Sequence, residues 1–241
     1  MKALFVGDVH NHKYIFDDVK RLDDKYKFDR IIFLGDYVDD WSTDNHQSLE
    51  TLDIVFKLKE SNPDKYTLLW GNHESSYVGY RCSGHQIDLE DVMEIKIKEN
   101  IDKFDFYTTV QCGQNEYVCT HAGLNNGYVD EVLGGDRWKM TLDDYNRDKL
   151  PNLDMLALCS YLRGGSDEFS SFIWCDKREH AYFAYQEKRV PYQIVGHTPV
   201  PNIQIIENII YCDTHSTYQD GTAYGDKSYL IWDDRGFIIE T

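Results

Sequence analysis

Ala3-Leu4-Phe5-Val6-Gly7-Asp8-Val9-His10 is an apolar run that stops at a glycine and an acid. The pattern returns twice, in Ile31-Ile32-Phe33-Leu34-Gly35-Asp36-Tyr37-Val38-Asp39 and in Tyr66-Thr67-Leu68-Leu69-Trp70-Gly71-Asn72-His73-Glu74. Each apolar run reads as a strand. Between the first and second, Ile15, Phe16, Val19 and Leu22 recur at helical spacing; between the second and third, Leu49, Leu52, Val55, Phe56 and Lys59 mark another amphipathic helix. Strand, helix, strand, helix, strand predicts parallel strands joined by right-handed crossovers, and so an α/β fold. In such a sheet, functional side chains gather beyond the carboxyl ends of the strands. Asp8, His10, Asp36 and Asn72 fall there.

Further along, a helix is expected around Leu89–Ile97, after which the pattern becomes richer in strands. Tyr117-Val118-Cys119 leads into Thr120-His121-Ala122-Gly123, and Gln193-Ile194-Val195 into Gly196-His197-Thr198-Pro199. Ile209–Cys212 and Ser228–Trp232 read as closing strands. Periodicity weakens from Gly127 to Arg189, so residues 127–190 are expected to be helices and loops covering the site and selecting substrate. No repeat, low-complexity tract or linker interrupts the chain, which is read as one domain over 1–241.

The 241 residues carry 25 basic and 42 acidic side chains, a formal charge of −17. Such a surface repels nucleic acid and anionic membrane, so a phosphate-bearing partner has to be captured by local positive charge. Cys82, Cys112, Cys119, Cys159, Cys175 and Cys212 form no CxxC pair, so neither a zinc knuckle nor a disulfide scaffold is expected. Cys119 and Cys212 lie in apolar stretches and read as packed thiols. The first residues turn acidic at Asp8, too soon for a signal peptide, and no apolar run approaches the ~20 residues of a membrane helix. A cytoplasmic setting is the expectation.

Five segments, GDVH, GDYVD, GNHE, THAG and GHTP, each present metal-binding side chains in a small-residue turn. Asp8 and His10, two apart in an extended turn, can reach one cation. Asp36 has two oxygens and can bridge two metals, and Asn72, His121 and His197 complete the second. The protein charge in this shell is −2, from Asp8 and Asp36, which against two divalent ions leaves about +2 for water and substrate. A bridging water then ionises near neutral pH, and a phosphate dianion is held even by an acidic protein. His73 should point away from the metals, free to protonate a departing alkoxide, with Asp39 to orient it and keep it charged. The expected reaction is in-line attack of a metal-bridging hydroxide on phosphorus, with His73 as general acid. Glu74 is read as structural support. A string such as GNHE arises by chance on the order of once in a thousand chains of this length; five in a compatible order do not.

The set GDVH, GDYVDD, GNHE, THAG and GHTP resembles the calcineurin-like metallophosphoesterase superfamily. Within it the segments are most similar to the serine/threonine phosphoprotein phosphatases, their bacterial and phage relatives, and the symmetrical diadenosine tetraphosphate hydrolases. The resemblance runs from Asp8 to about Gly225, with the middle third poorly matched. It implies a sandwich of two mixed sheets flanked by helices. It also implies a dinuclear centre often filled by manganese or iron/zinc, with Asp8, His10 and Asp36 at one metal and Asp36, Asn72, His121 and His197 at the other. His73 and Asp39 match the family's acid dyad.

The departures matter as much. The family's second segment continues GDxVDRG, its arginine clamping phosphate; here that position is Asp40, followed by Trp41. Another cation must take over, and Arg163, flanked by glycine in Tyr161-Leu162-Arg163-Gly164-Gly165, is the residue chosen; Lys177 and Arg178, after Phe172-Ile173-Trp174, come second. Asn11 stands where glycine is common. In Asp213-Thr214-His215, similar to a family Asp-Thr-Gly segment, His215 is read as a buried, hydrogen-bonded histidine rather than a substrate contact. The leading function is a metal-dependent phosphomonoesterase, with manganese as first choice of ion, acting on phosphoserine or phosphothreonine in proteins. Rivals are hydrolysis of dinucleoside polyphosphates, for which the chain is short of a separate cover, and a binding protein that has lost catalysis, which the intact ligands and His73 disfavour.

Overall fold

The apolar runs become strands buried on both faces, and their alternation divides the chain's interior in two. In β1 (Ala3–Val6) and β2 (Arg30–Phe33), Leu4, Val6, Ile31 and Phe33 face a helix-covered core, whereas Ala3, Phe5 and Ile32 face a second sheet. β3 (Tyr66–Leu69) continues the rule, with Leu68 on the helix side and Leu69 on the sheet side. A strand wetted on neither face has no polar alternation, which is why these runs look continuous in the sequence.

The computed structural model describes residues 1–79, 85–149, 152–182 and 189–241. β1, β2 and β3 are parallel and in sequence order, with Phe5 opposite Ile32. The same sheet adds β4 (Phe104–Asp105) at one side and β10 (Tyr229–Asp233) and β11 (Gly236–Glu240) at the other, in the order β11-β10-β1-β2-β3-β4. The second sheet runs β5-β6-β7-β9-β8, from β5 (Thr108–Cys112), β6 (Asn115–Cys119), β7 (Gln193–Val195), β8 (Gln204–Ile206) and β9 (Ile209–Tyr211). Both sheets mix parallel and antiparallel pairs. Val110, Cys119, Ile194, Ile210 and Cys212 of the second pack against Ala3, Phe5, Ile32 and Leu230 of the first. This is the expected sandwich.

α1 (Tyr14–Tyr26) buries Ile15, Val19 and Leu22, and α2 (Asn45–Ser61) buries Leu52, Val55 and Phe56. α2 starts at Asp44 with a capping box: Asp44 Oδ1 accepts the Gln47 N–H at 3.0 Å while Gln47 Oε1 accepts the Asp44 N–H at 3.2 Å. One segment departs from expectation. GNHE is not a plain turn, because Asn72 opens a short helix, α3 (Asn72–Ser76), whose third residue, Glu74, accepts the Gly71 N–H at 3.2 Å. The helix expected at Leu89–Ile97 is α4 (Glu90–Glu99).

The stretch 127–190 contains helices, α5 (Asn126–Glu131), α6 (Trp138–Arg147), α7 (Leu153–Leu156) and α8 (Lys177–Tyr182), but these are not loose covering. Tyr128, Val129, Leu142, Leu156 and Phe172 are fully buried members of the larger core. The five described cysteines are free thiols, and burial pushes those of Cys112 and Cys119 up, Cys112 to about 12. Cys82 lies outside the described residues. No helix among the described residues is long and apolar enough to cross a membrane.

Candidate metal and active site

Strand ends deliver the site. Asp8 follows β1, Asp36 follows β2, Asn72 follows β3, His121 follows β6, His197 follows β7 and Asp213 follows β9, each within three residues. The chain turns sharply at these points. His10, Asn11, Asp36, Asp39 and His197 all hold left-handed backbones, with φ between 43° and 63°. Residues with a Cβ resist that conformation, at about 1 kcal/mol or more each, so the surroundings must impose it. They do so with hydrogen bonds. The Val9 and His10 N–H groups donate to Asp36 O at 2.8 and 2.9 Å, and Asn11 N–H to Tyr37 O at 2.9 Å. Glu74, fully buried, accepts the N–H groups of Asp36, Tyr37 and Val38 at 3.1, 2.8 and 3.3 Å. It therefore ties the third segment to the second. Two glycines are demanded by space: a Cβ on Gly35, which has φ +107°, would stand 2.7 Å from His121 Nδ1, and one on Gly71 would stand 2.2 Å from Asp36 Oδ1.

The tautomers follow from the backbone. His121 Nδ1 lies 2.7 Å from Leu34 O, and His10 Nδ1 lies 2.7 Å from Asp39 O. A carbonyl only accepts, so both Nδ1 atoms carry a proton, and the neutral form of each ring presents an Nε2 lone pair to the site. His121 Nε2 then faces Asn72 Oδ1 at 2.9 Å, His197 Nδ1 at 3.1 Å and Asp36 Oδ2 at 3.3 Å. His10 Nε2 faces Asp8 Oδ2 at 3.8 Å and Asp36 Oδ2 at 3.9 Å. Carboxylate, amide and imidazole atoms converging in this way form the arrangement a cation satisfies. Ligand atoms of Asp36, His121 and His197 lie within 4.8 Å of one another, as do those of His10, Asp36 and His73.

Electrostatics agree. Burial, followed by the charges of Asp213 and Asp36, raises the Asp8 carboxyl well above its ordinary range. Burial lowers His197 well below its own, with Arg163 and His121 adding to the effect, so its ring is neutral. Burial also raises Asp213. Carboxylates this crowded and dry are costly without a counter-ion, and the donor set of carboxylate, amide and imidazole suits a divalent transition ion.

Asp36 differs in detail from the expected two-oxygen bridge. Its Oδ1 accepts the His73 N–H at 2.9 Å, leaving Oδ2 as the one atom that faces both histidine groups. His73 does not turn away from the cluster as expected. Its ring stands edge-on to His10 at 4.9 Å, because Asp39 Oδ2, 2.9 Å from Nδ1, anchors it over the site. Asp39 is itself fixed by the Tyr77 hydroxyl, which donates to Oδ1 at 2.5 Å. Burial and the Asp39 charge raise that hydroxyl far above its usual range, so it remains a donor.

A cavity of about 290 Å³ opens over these groups, lined by Asp8, His10, Asp36, Asp39, Asn72, His73 and His197 and walled by Asp40, Trp41, Arg163, Trp174, Pro199, Ser216 and Thr217. Arg163 is held in its wall: Nε pairs with Asp176 Oδ2 at 2.9 Å and Nη2 donates to Thr198 Oγ1 at 2.8 Å. Arg163 and Trp174 are the cavity residues contributed by the described part of 127–190. The second-choice cations point elsewhere, Arg178 to Asp176 and Leu162 O, and Lys177 to Gln204. His121, fully buried, lies behind the cavity wall. His215 is buried too, with Tyr14 OH at 3.2 Å and the Tyr229 ring at 4.7 Å, and burial pushes it down to about 3. Sequence reasoning missed Tyr77, Asp176, Thr198 and Thr217. Tyr77, four residues after His73 and so one helical turn on, was the one with a readable signal.

Residues 1–201 match the family model described as calcineurin-like phosphoesterase. The chain belongs to the calcineurin-like phosphoesterase family. Among its curated relatives, a putative serine/threonine-protein phosphatase of Schizosaccharomyces pombe is 31% identical over 140 residues, 56% of this chain and 43% of that protein. The serine/threonine-protein phosphatase 6 catalytic subunit of Drosophila melanogaster is 25% identical over 235 residues, 94% of this chain and 68% of that one. The chain thus spans less than half the length of the first relative. Of solved calcineurin-like folds, the cold-active protein-tyrosine phosphatase of a psychrophilic Shewanella superposes with a TM-score of 0.62 at 18% identity, covering 99% of this chain and 77% of that one. A protein serine/threonine phosphatase of Saccharomyces cerevisiae gives 0.60 at 14% identity, covering 100% and 79%. At these identities they speak to the fold.

Proposed function

We propose that this calcineurin-like phosphoesterase is a metal-dependent phosphomonoesterase that removes phosphate from phosphoserine or phosphothreonine in proteins. The observation that carries the reading is the convergence of Asn72 Oδ1, His197 Nδ1 and Asp36 Oδ2 on the His121 Nε2 lone pair, beside the His73–Asp39 pair in one cavity. The serine/threonine-phosphatase relatives support the substrate class. Asp8, His10 and Asp36 would hold one divalent ion and Asp36, Asn72, His121 and His197 the other, manganese being our first choice. When bound, such ions polarise the phosphoryl oxygens and activate water.

The chain's own residues would do the rest. Arg163, ion-paired with Asp176 and donating from Nη2 to Thr198, would bind a phosphate oxygen from the cavity wall, the task left open by Asp40. His73 keeps a proton on Nδ1 for Asp39 Oδ2 and delivers the one on Nε2 to the departing alkoxide. Tyr77 keeps Asp39 aimed. Chain and site are assigned together to one catalytic domain over residues 1–241.

An assay comparing a phosphopeptide, an aryl phosphate and diadenosine tetraphosphate in manganese buffer tests this. Phosphopeptide turnover is expected to exceed the others in kcat/KM; exclusive cleavage of the dinucleotide would overturn it.

A further inference from the structure

The charges around the cavity are unevenly employed. Asp8 and Asp36 face the histidine groups, and Asp39 holds His73. Asp40 has none of these duties. Its Oδ1 accepts the Thr217 hydroxyl at 2.8 Å and its Oδ2 the Ser42 hydroxyl at 3.4 Å, and no lysine or arginine among the described residues pairs with it. The carboxylate is only half-buried and lines the same cavity as Arg163. A hydroxyl tether to Thr217 needs an acceptor, not a negative charge, so an asparagine would serve it equally.

Two indoles line the same cavity, one of them next to Asp40 in the chain. Trp41 is 47% exposed, an unusual outlay of apolar surface for a residue in a turn, and Trp174 packs edge-on against His197 at 5.9 Å, both on the cavity wall. An indole face next to an unpaired carboxylate is the chemistry that holds an ammonium or guanidinium group. A phosphate dianion entering alone would be repelled by Asp40; one that brings its own positive charge would not.

We propose that Asp40 and Trp41, with Trp174 in the same cavity wall, recognise a positive charge on the leaving-group side of the substrate phosphate, which in a phosphoprotein is a lysine or arginine flanking the phosphorylated residue. This rests on the phosphomonoesterase reading above. The overall charge of −17 works in the same direction, drawing basic segments toward the chain and away from acidic ones.

The test uses the manganese-loaded full chain and three phosphothreonine peptides that differ only in the following residue: arginine, glutamine or glutamate. The arginine peptide is expected to exceed the glutamine peptide by about five- to tenfold in kcat/KM, mostly in KM, with the advantage shrinking as salt rises. Asp40→Asn should bring the ratio to within about twofold, and Trp41→Ala should lower it by roughly two- to fivefold. Thr217→Ala removes the tether but keeps the charge, so it should preserve the ratio. An equal rate on all three peptides, or a ratio that survives Asp40→Asn, would overturn the inference while leaving the phosphatase reading intact. Phosphocholine is the small-molecule arm. Its turnover, lost in Asp40→Asn, with no peptide turned over, would uphold the cation site and overturn the protein-substrate reading.

Discussion

His73 and Asp39 come from different segments, and the 2.9 Å contact between them is set by a third residue, Tyr77. Because the His73 ring makes no use of its Nε2 in that contact, His73→Asn is expected to keep metal content in the metal assay and to lower kcat by about 10²–10⁴-fold. Unchanged turnover would remove His73 as the acid. Asp36→Asn should lose both metal and activity, since Oδ2 is the atom facing both histidine groups. Much of this was written in the sequence: five short strings name the carboxylates and imidazoles, because ligand chemistry restricts residue type at each place. The residues that aim Arg163 were not. Asp176 and Thr198, which hold Arg163, are ordinary polar residues whose role exists only once 127–190 is folded against the GHTP segment.

At the scale of elements, Glu74 is the joint between α3 and the turn after β2. It gathers N–H groups from Gly71, Asp36, Tyr37 and Val38 with no solvent contact. Glu74→Ala leaves those donors unpaired in a dry site, and the expected cost is about 2–4 kcal/mol in a urea titration of the metal-free protein. The left-handed Asp36 should relax with it, lowering metal affinity as measured by calorimetry. The strands and helices themselves were legible where burial imposed a period: β1, β2, β3, α1 and α2 appear within a few residues of where the apolar pattern puts them. α3 did not show, since a five-residue helix has no period to display. The order of the outer strands did not show either, because an antiparallel partner as distant as Leu230 from Phe5 leaves no local trace.

For the whole molecule, two expectations concern stability. Chelation should leave the far-ultraviolet circular dichroism unchanged, because the inter-sheet core does not involve the ligands. It should lower Tm by several degrees, restored by manganese, since the ions bind the folded state. The second concerns pH. His215, held near 3 in the fold by burial, takes up a proton more readily when unfolded, at about 6.5. At this site the unfolded state therefore binds more protons between those values, and the stability contributed by His215 falls as pH drops below about 6.5, whereas Glu74, raised by burial to about 7, works in the opposite direction. By pH 5 the loss is about 2 kcal/mol. His215→Gln should flatten that part of the curve in urea melts taken from pH 7.5 to 5; an unaltered slope would place the acid sensitivity elsewhere.

The β1–β10 pairing has a consequence for synthesis on the ribosome. Phe5 emerges 225 positions ahead of Leu230, its partner across the sheet. Until then one edge of β1 stays open, and His197 has only recently left the exit tunnel. The nascent chain can thus collect Asp8, His10, Asp36 and Asn72 early, whereas His121 and His197, which complete the second set, come later. Assembly of the complete centre therefore waits for the GHTP segment.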